Sequence, residues 1–198
     1  MLKIPYHKDL LLPEAPLGKM NIYPWDETGY TPEATLTMVY NEEAIRVKLT
    51  SPVEELTVLT NKDNGPVWED NCLELFFQPY AADPAYINFE CNALGAMVIG
   101  KGPGRADREN LIDLLKPKMN VHTVITPGKG FEVHYTLPLK ALAELYGLPA
   151  LQKGDVLRLN AYICGEATPI AHFGMLFPIQ NETPDFHRPE FFQEAVLS

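Results

Sequence analysis

The sequence predicts an all-β fold: an antiparallel β-sandwich, immunoglobulin-like or jelly-roll-like, with one or two short helices, forming one domain over residues 1–198. Three observations predict it. Short segments alternate apolar and polar residues, the period of a strand with one buried face. Turn-forming residues separate those segments. Eighteen of 198 residues are proline, about twice the usual share, and proline disfavours long helices. No repeat, low-complexity tract or linker divides the chain, and its length is enough to bury a full core.

Taken in order, residues 35–40 and 44–49 alternate around Asn41, Glu42 and Glu43, a hairpin signal. Residues 56–60 read as a further strand, followed by a turn-rich loop through Asn64, Gly65 and Pro66. Residues 72–78 and 86–99 read as two long strands joined by a turn between Pro79 and Pro84. Residues 121–125 and 131–136 pair across Pro127, Gly128 and Gly130, and residues 157–164 alternate once more. Only residues 109–115 and 139–146 look helical. Roughly nine strands against two short helices favour a sandwich.

The segment 72–78 and its return strand carry the functional signal. Leu73, Leu75 and Phe77 share one face with Ile87, Phe89 and Cys91, while Cys72, Glu74, Phe76 and Gln78 share the other with Asn88, Glu90 and Asn92. A register that sets Leu75 against Phe89 also sets Glu74 against Glu90. Like charges in that position are destabilising, so a cation, a shared proton or a hydroxyl-rich ligand is expected there. Arg158, on the polar face of 157–164 with Asn160 and Tyr162, is the expected bridge between the glutamates. The bland alternative is a salt-bridge network on a solvated sheet face. Trp25 and Trp68 lie in loops, where a sugar ring could stack on indole while its hydroxyls meet carboxylates and amides.

A net charge of −10 argues against non-specific nucleic-acid or anionic-membrane binding, which needs basic patches. No apolar run approaches a membrane span. The N-terminus lacks a signal core, which predicts a cytoplasmic location; a chain whose signal had been removed would be secreted or periplasmic. Cys72, Cys91 and Cys164 form no CxxC and read as buried, reduced thiols. No cofactor is required. Asp63, Asn64, Glu69 and Asp70 cluster in one loop, either a structural calcium site or a solvated acidic loop. His172, Asp185 and His187 lack the spacing of a transition-metal site. The run from Gly100 to Arg105 lacks the GK[ST] of a phosphate loop.

Several motifs carry a resemblance. Val67, Trp68, Asp70, Cys72, Glu74, Phe76 and Phe77 fit V-W-x-D-x-C-x-E-x-F-F. Asn88, Phe89, Glu90, Asn92 and Gly95 fit N-F-E-x-N-x-x-G. The stretch beginning at Arg158, then His172 and Phe173, and the Pro-Asp-Phe-His-Arg-Pro-Glu-Phe-Phe run ending at Phe192 follow in order. From Ile22 to Phe192 the chain resembles carbohydrate-binding module family 9-like proteins of the DOMON-like superfamily. The resemblance implies a glycan-binding sandwich holding a terminal sugar between two aromatic platforms, often with structural calcium.

Carried over, Trp68 is one platform, Glu74 a hydroxyl-binding carboxylate and Asn92 a polar contact; Glu90 stands where the family tends to have arginine. The stretch after His172, where a second platform is expected, has no tryptophan; Phe177 or Trp25 is the expected substitute. The resulting expectation is non-catalytic binding of an oligosaccharide or polysaccharide. Trp68 stacks, Glu74, Glu90, Asn92 and Arg158 meet hydroxyls, and Trp25, Arg105 and His172 stand at the rim. A glycan-degrading enzyme encoded elsewhere is the expected partner. The alternatives are a glycan hydrolase using Glu74 and Glu90, and a structural or partner-binding sandwich with a sealed polar face.

Overall fold

Alternation becomes two facing sheets in a computed structural model that describes all 198 residues. The larger sheet runs β1 (Leu2–Ile4), β13 (Gln193–Leu197), β11 (Val156–Gly165), β5 (Cys72–Gln78), β6 (Tyr86–Asn92), β7 (Met97–Gly102) and β8 (Glu109–Asn110), with β12 (His172–Met175) also paired to β11. The smaller runs β2 (Gly18–Met20), β3 (Ala34–Tyr40), β4 (Ala44–Ser51), β10 (Gly130–Pro138) and β9 (His122–Thr126). All pairings are antiparallel except that of β1 with β13. The core between the sheets includes Leu73, Leu75, Phe77, Ile87, Phe89, Leu159 and Ile163 from one side and Leu36, Val47, Leu49 and Val133 from the other.

The β5–β6 register is the expected one: Leu75 faces Phe89 and Glu74 faces Glu90. Three expectations change. Residues 56–60 form no strand, because side chains stand in for a neighbouring ladder: Asn71 Oδ1 accepts from the Thr57 amide and Asp70 Oδ1 from the Leu59 amide. The run 86–99 breaks between β6 and β7 at Gly95, whose φ of 83° suits glycine; Asn92 Oδ1 holds the turn by accepting from the Leu94 and Ala96 amides. The expected helix over 109–115 shrinks to α1 (Ile112–Leu115), preceded by β8. The second, α2 (Leu139–Tyr146), stands as expected and ends on left-handed Gly147.

The polar face of β5 and β6 is not open to solvent along its length, since every residue of both strands is buried. Residues 177–192 lie over it. Asn160 fixes the start of that cover, donating to Phe177 O and accepting from the Phe177 amide. Further along, Phe186 stacks on Tyr162 at 4.1 Å between centroids, and His187 Nδ1 lies 2.6 Å from Tyr86 Oη. Phe76, Tyr86, Tyr162, Met175, Ile179 and Phe192 thereby form a second, smaller apolar cluster.

Candidate functional site

Between the cover and the loops at the β7 side of the sheet remains a cleft of about 390 Å³, within the range of small-molecule sites. Glu74 and Phe76 of β5, Asn88 and Glu90 of β6 and Cys164 of β11 line it, with Trp68, Glu166, Phe173, Phe186 and His187 and, from the 105–110 segment, Arg105 and Arg108 around them. The Trp68 turn is tied to the loop after β11 by the Glu166 amide donating to Trp68 O and the Ala167 amide to Glu69 O. This leaves the indole 37% exposed, available for stacking.

Arg108 is the cation of the cleft. It donates to the carbonyls of Gly100 and Gly104 and to Asn88 Oδ1, and lies over the Tyr86 ring. Gly100 permits this approach: a Cβ there would come within 2.9 Å of Asn88 Oδ1 and 3.1 Å of Arg108 Nε. Arg108 Nε itself has no partner. Arg105 reaches Asp185 at 3.5 Å across the rim.

Burial dominates the electrostatics. Glu90 accepts from Asn88 Nδ2 at 2.6 Å, yet its carboxyl is pushed up to about 7, because desolvation outweighs that hydrogen bond and the Arg108 charge. Glu74 is pushed well up by burial first, then by Cys164 and Glu90; its Oε1 accepts from Cys164 Sγ at 3.1 Å. Burial also raises Glu166 against the pull of Arg105. His187 falls to about 3 through burial and the two arginines, while burial raises Tyr86. Tyr86 Oη and His187 Nδ1 therefore share a hydrogen bond between two neutral groups.

The structure brings together Trp68, Glu74, Glu90 and Arg105 at this cleft and places the other expected residues elsewhere. Arg158 does not bridge the glutamates. It lies on the right face but opposite Gln78, whereas Tyr162 faces Glu74, and four residues of strand amount to about 13 Å. Its guanidinium instead ties β5 to the C-terminal segment, donating to Gln78 Oε1 and to the carbonyls of Phe192 and Glu190. Asn92 is turned inward, donating to Asp70 Oδ2 and Thr60 O. His172 is buried against Tyr30, its Nδ1 2.9 Å from Ile170 O. Trp25 donates to Asn181 O and backs Phe173 and Phe186 without lining the cleft. Phe177 packs on the main core; Phe173 and Phe186 are the aromatics that line the cleft with Trp68.

Asp63, Asn64 and Asp70 each engage separate partners. Asp63 pairs with Lys116 and accepts from the Met97 amide. Asn64 Oδ1 accepts from Asn110. Asp70 is buried, accepting from the Leu59 and Thr60 amides and from Asn92. The oxygens that accept these bonds are committed to protein donors, which leaves the loop short of the roughly six to eight ligands that calcium takes. Arg108, Asn88, Glu166, Phe173, Phe186 and His187 were missed. Asn88 was legible, being on the polar face next to Glu90; Phe173 comes from the short strand β12 and the others from loops, and the placement of all of them depends on the closed fold.

Solved structures resemble this one over its whole length. A candidate carbohydrate-binding protein from Bacteroides uniformis ATCC 8492 matches at TM-score 0.85 and 22% identity, covering 100% of this chain and 98% of that one. A family 9 carbohydrate-binding module from Caldicellulosiruptor kristjanssonii in complex with glucose matches at TM-score 0.67 and 12% identity, over 100% of this chain and 95% of that one. The same organism's family 9 module in complex with cellotriose gives TM-score 0.66 and 12% identity, over 99% and 92%. No curated protein matches the chain. The model of carbohydrate-binding family 9 matches residues 8–197, and the chain belongs to that family.

Proposed function

We propose that this chain binds carbohydrate without transforming it, holding one sugar unit of an oligosaccharide in the cleft of Trp68, Glu74 and Glu90. The carrying observation is the composition of that cleft: aromatic walls from Trp68, Phe173 and Phe186 around a floor of buried carboxyls and an amide. A pyranose presents an apolar C–H face and a ring of hydroxyls, and each surface finds its complement here. Glu90 and Asn88 accept or donate at the floor, and His187 and Arg105 reach the rim. Family membership supports the same ligand class, as do the glucose and cellotriose complexes of the Caldicellulosiruptor modules. A non-hydrolytic chain of this kind would serve a glycan-degrading enzyme encoded elsewhere.

The test is calorimetric titration with glucose, cellobiose, cellotriose and a panel of other short oligosaccharides, with and without calcium. Wild type should bind at least one, and Trp68→Ala should weaken that binding about tenfold or more. No heat from any sugar with folded protein, or binding indifferent to Trp68→Ala and Phe173→Ala, would overturn the assignment. A second reading, hydrolysis, draws on the direct opposition of Glu74 and Glu90, since cross-strand neighbours can approach the roughly 5 Å of a retaining pair. It requires release of reducing ends from the bound oligosaccharide and loss of that activity in Glu74→Gln.

A further inference from the structure

Two of the three cysteines differ in surroundings from the third. Cys91 points into the sheet–sheet core among apolar side chains. Cys72 and Cys164 point the other way and face each other directly across the β5–β11 ladder. Glu74, one pleat along from Cys72 on the same face, completes a triangle in which the two sulfurs and a carboxylate oxygen all lie within 4.8 Å of one another. All three residues are buried, yet Cys164 and Glu74 line the cleft, so the triangle has an entrance. No lysine or arginine pairs with Glu74: Arg158 is bound to Gln78 and the C-terminal segment, Arg108 to Asn88, and Arg105 to Asp185. A buried carboxyl beside two thiols without a cationic partner is a costly arrangement that a bound cation would relieve.

We propose that Cys72, Cys164 and Glu74 form a site for a thiophilic divalent metal ion, zinc in the first instance, with its fourth coordination position open to the cleft. Two sulfurs and one oxygen are a donor set for zinc, not calcium. Bonds of about 2.3 Å to sulfur and 2.0–2.2 Å to oxygen in a tetrahedron place neighbouring ligand atoms about 3.5–3.8 Å apart, so small side-chain rotations close the triangle on an ion. Three protein ligands and a free position form the open type of zinc site. Water would take the fourth position, or a hydroxyl of whatever occupies the cleft. Binding displaces the two thiol protons and the proton held by the Glu74 carboxyl to solvent, so the affinity rises with pH. The proposal does not depend on the saccharide assignment, and no sugar enters its test.

The experiment uses the full chain, reduced, with three thiols counted after denaturation before any metal is added. Cobalt(II) is the optical probe and zinc the competitor. One equivalent of cobalt should give thiolate-to-cobalt charge-transfer absorption in the near-ultraviolet and the visible bands of a tetrahedral ion, and one equivalent of zinc should abolish both. Loss of a supporting outer-shell group costs 10–100-fold in metal affinity. Cys72→Ser and Cys164→Ser, which remove a ligand, should therefore weaken zinc by about 100-fold or more, and Glu74→Gln by at least about tenfold. Cys91→Ala should leave zinc affinity unchanged. Should a serine variant fail to fold, the wild-type charge-transfer bands alone decide whether sulfur binds the metal. Absence of those bands in reduced, folded protein would overturn the proposal. So would bands that survive both serine substitutions, or weak octahedral cobalt spectra from surface nitrogen and oxygen ligands.

Discussion

The two faces of the β5–β6 pair are equally buried and chemically opposite. Toward the smaller sheet stand Leu73, Leu75, Phe77, Ile87, Phe89 and Cys91; away from it stand Glu74, Gln78, Asn88, Glu90 and Asn92 with Phe76 and Tyr86, no more than 6% exposed. Burial therefore does not separate a core from a site. What separates them is whether the buried atoms demand partners. The inner face needs only contact, whereas each polar group outside must be hydrogen-bonded or held neutral. Asn88 and Asn92 satisfy that demand locally. Glu74 and Glu90 accept from Cys164 and Asn88, yet burial still moves both toward their protonated forms.

The sharpest way to break this contrast is to truncate one aromatic in the main core and one at the cleft. Phe89→Ala opens the main core and should cost about 3–5 kcal/mol of stability, read as a fall in the urea midpoint at constant slope. Its saccharide affinity, measured where the variant remains folded, should stay near wild type. A similar affinity loss to that of Trp68→Ala would mean that the two faces are one functional unit.

The next effect is pH-linked. Folding raises Glu90 from 4.5 to about 7, so between those values the folded state binds more protons than the unfolded one. Its contribution is fully present below the unfolded pKa and is lost as pH rises through about 7. His187 works in the opposite sense. Lowered from 6.5 to about 3, it removes stability as pH falls below the unfolded value. The diagnostic is therefore the difference between wild type and Glu90→Gln, which keeps an acceptor for Asn88. The variant should gain roughly 2–3 kcal/mol on wild type between pH 5 and 8, measured as urea midpoints. Parallel profiles would show that the carboxyl is solvated or paired and that the outer face carries no electrostatic cost.

The same contrast explains what could be read in advance. Period-2 alternation exposes strands and their faces, so the β5–β6 register and the opposition of Glu74 and Glu90 followed from local pattern. Position along a strand did not follow. Arg158 was assigned the right face, yet it pairs with Gln78, because the stagger of β11 depends on its neighbours across the whole sheet. Loop residues were harder still. Arg108 reaches the floor through Gly100 and Gly104, and Phe186 arrives from a segment more than ninety positions from β6 in sequence; neither contact leaves a periodic mark. Asp70 and Asn92 show the converse. Read as a calcium ligand and a sugar contact, these polar residues secure the loop and turn that frame the cleft.

Trp68→Ala should act on binding without acting on the fold. The indole is 37% exposed and lies outside both the main and the smaller apolar clusters, so the stability change should stay below about 1 kcal/mol. The lost stacking surface should cost the saccharide about 1–2 kcal/mol, roughly tenfold or more in affinity.

Arg158 supplies the smallest and most discriminating contrast. Removing its charge in Arg158→Met keeps the aliphatic stem and deletes the hydrogen bonds to Gln78 and to the Phe192 and Glu190 carbonyls, two of them 3.4 Å long. The stability loss should be about 1 kcal/mol, read from the urea midpoint, with saccharide affinity within about twofold of wild type. A larger affinity loss at unchanged stability would show that the cover formed by residues 177–192 transmits its position to the cleft through Phe186 and His187. Arg158 would then position the binding face it was first expected to join.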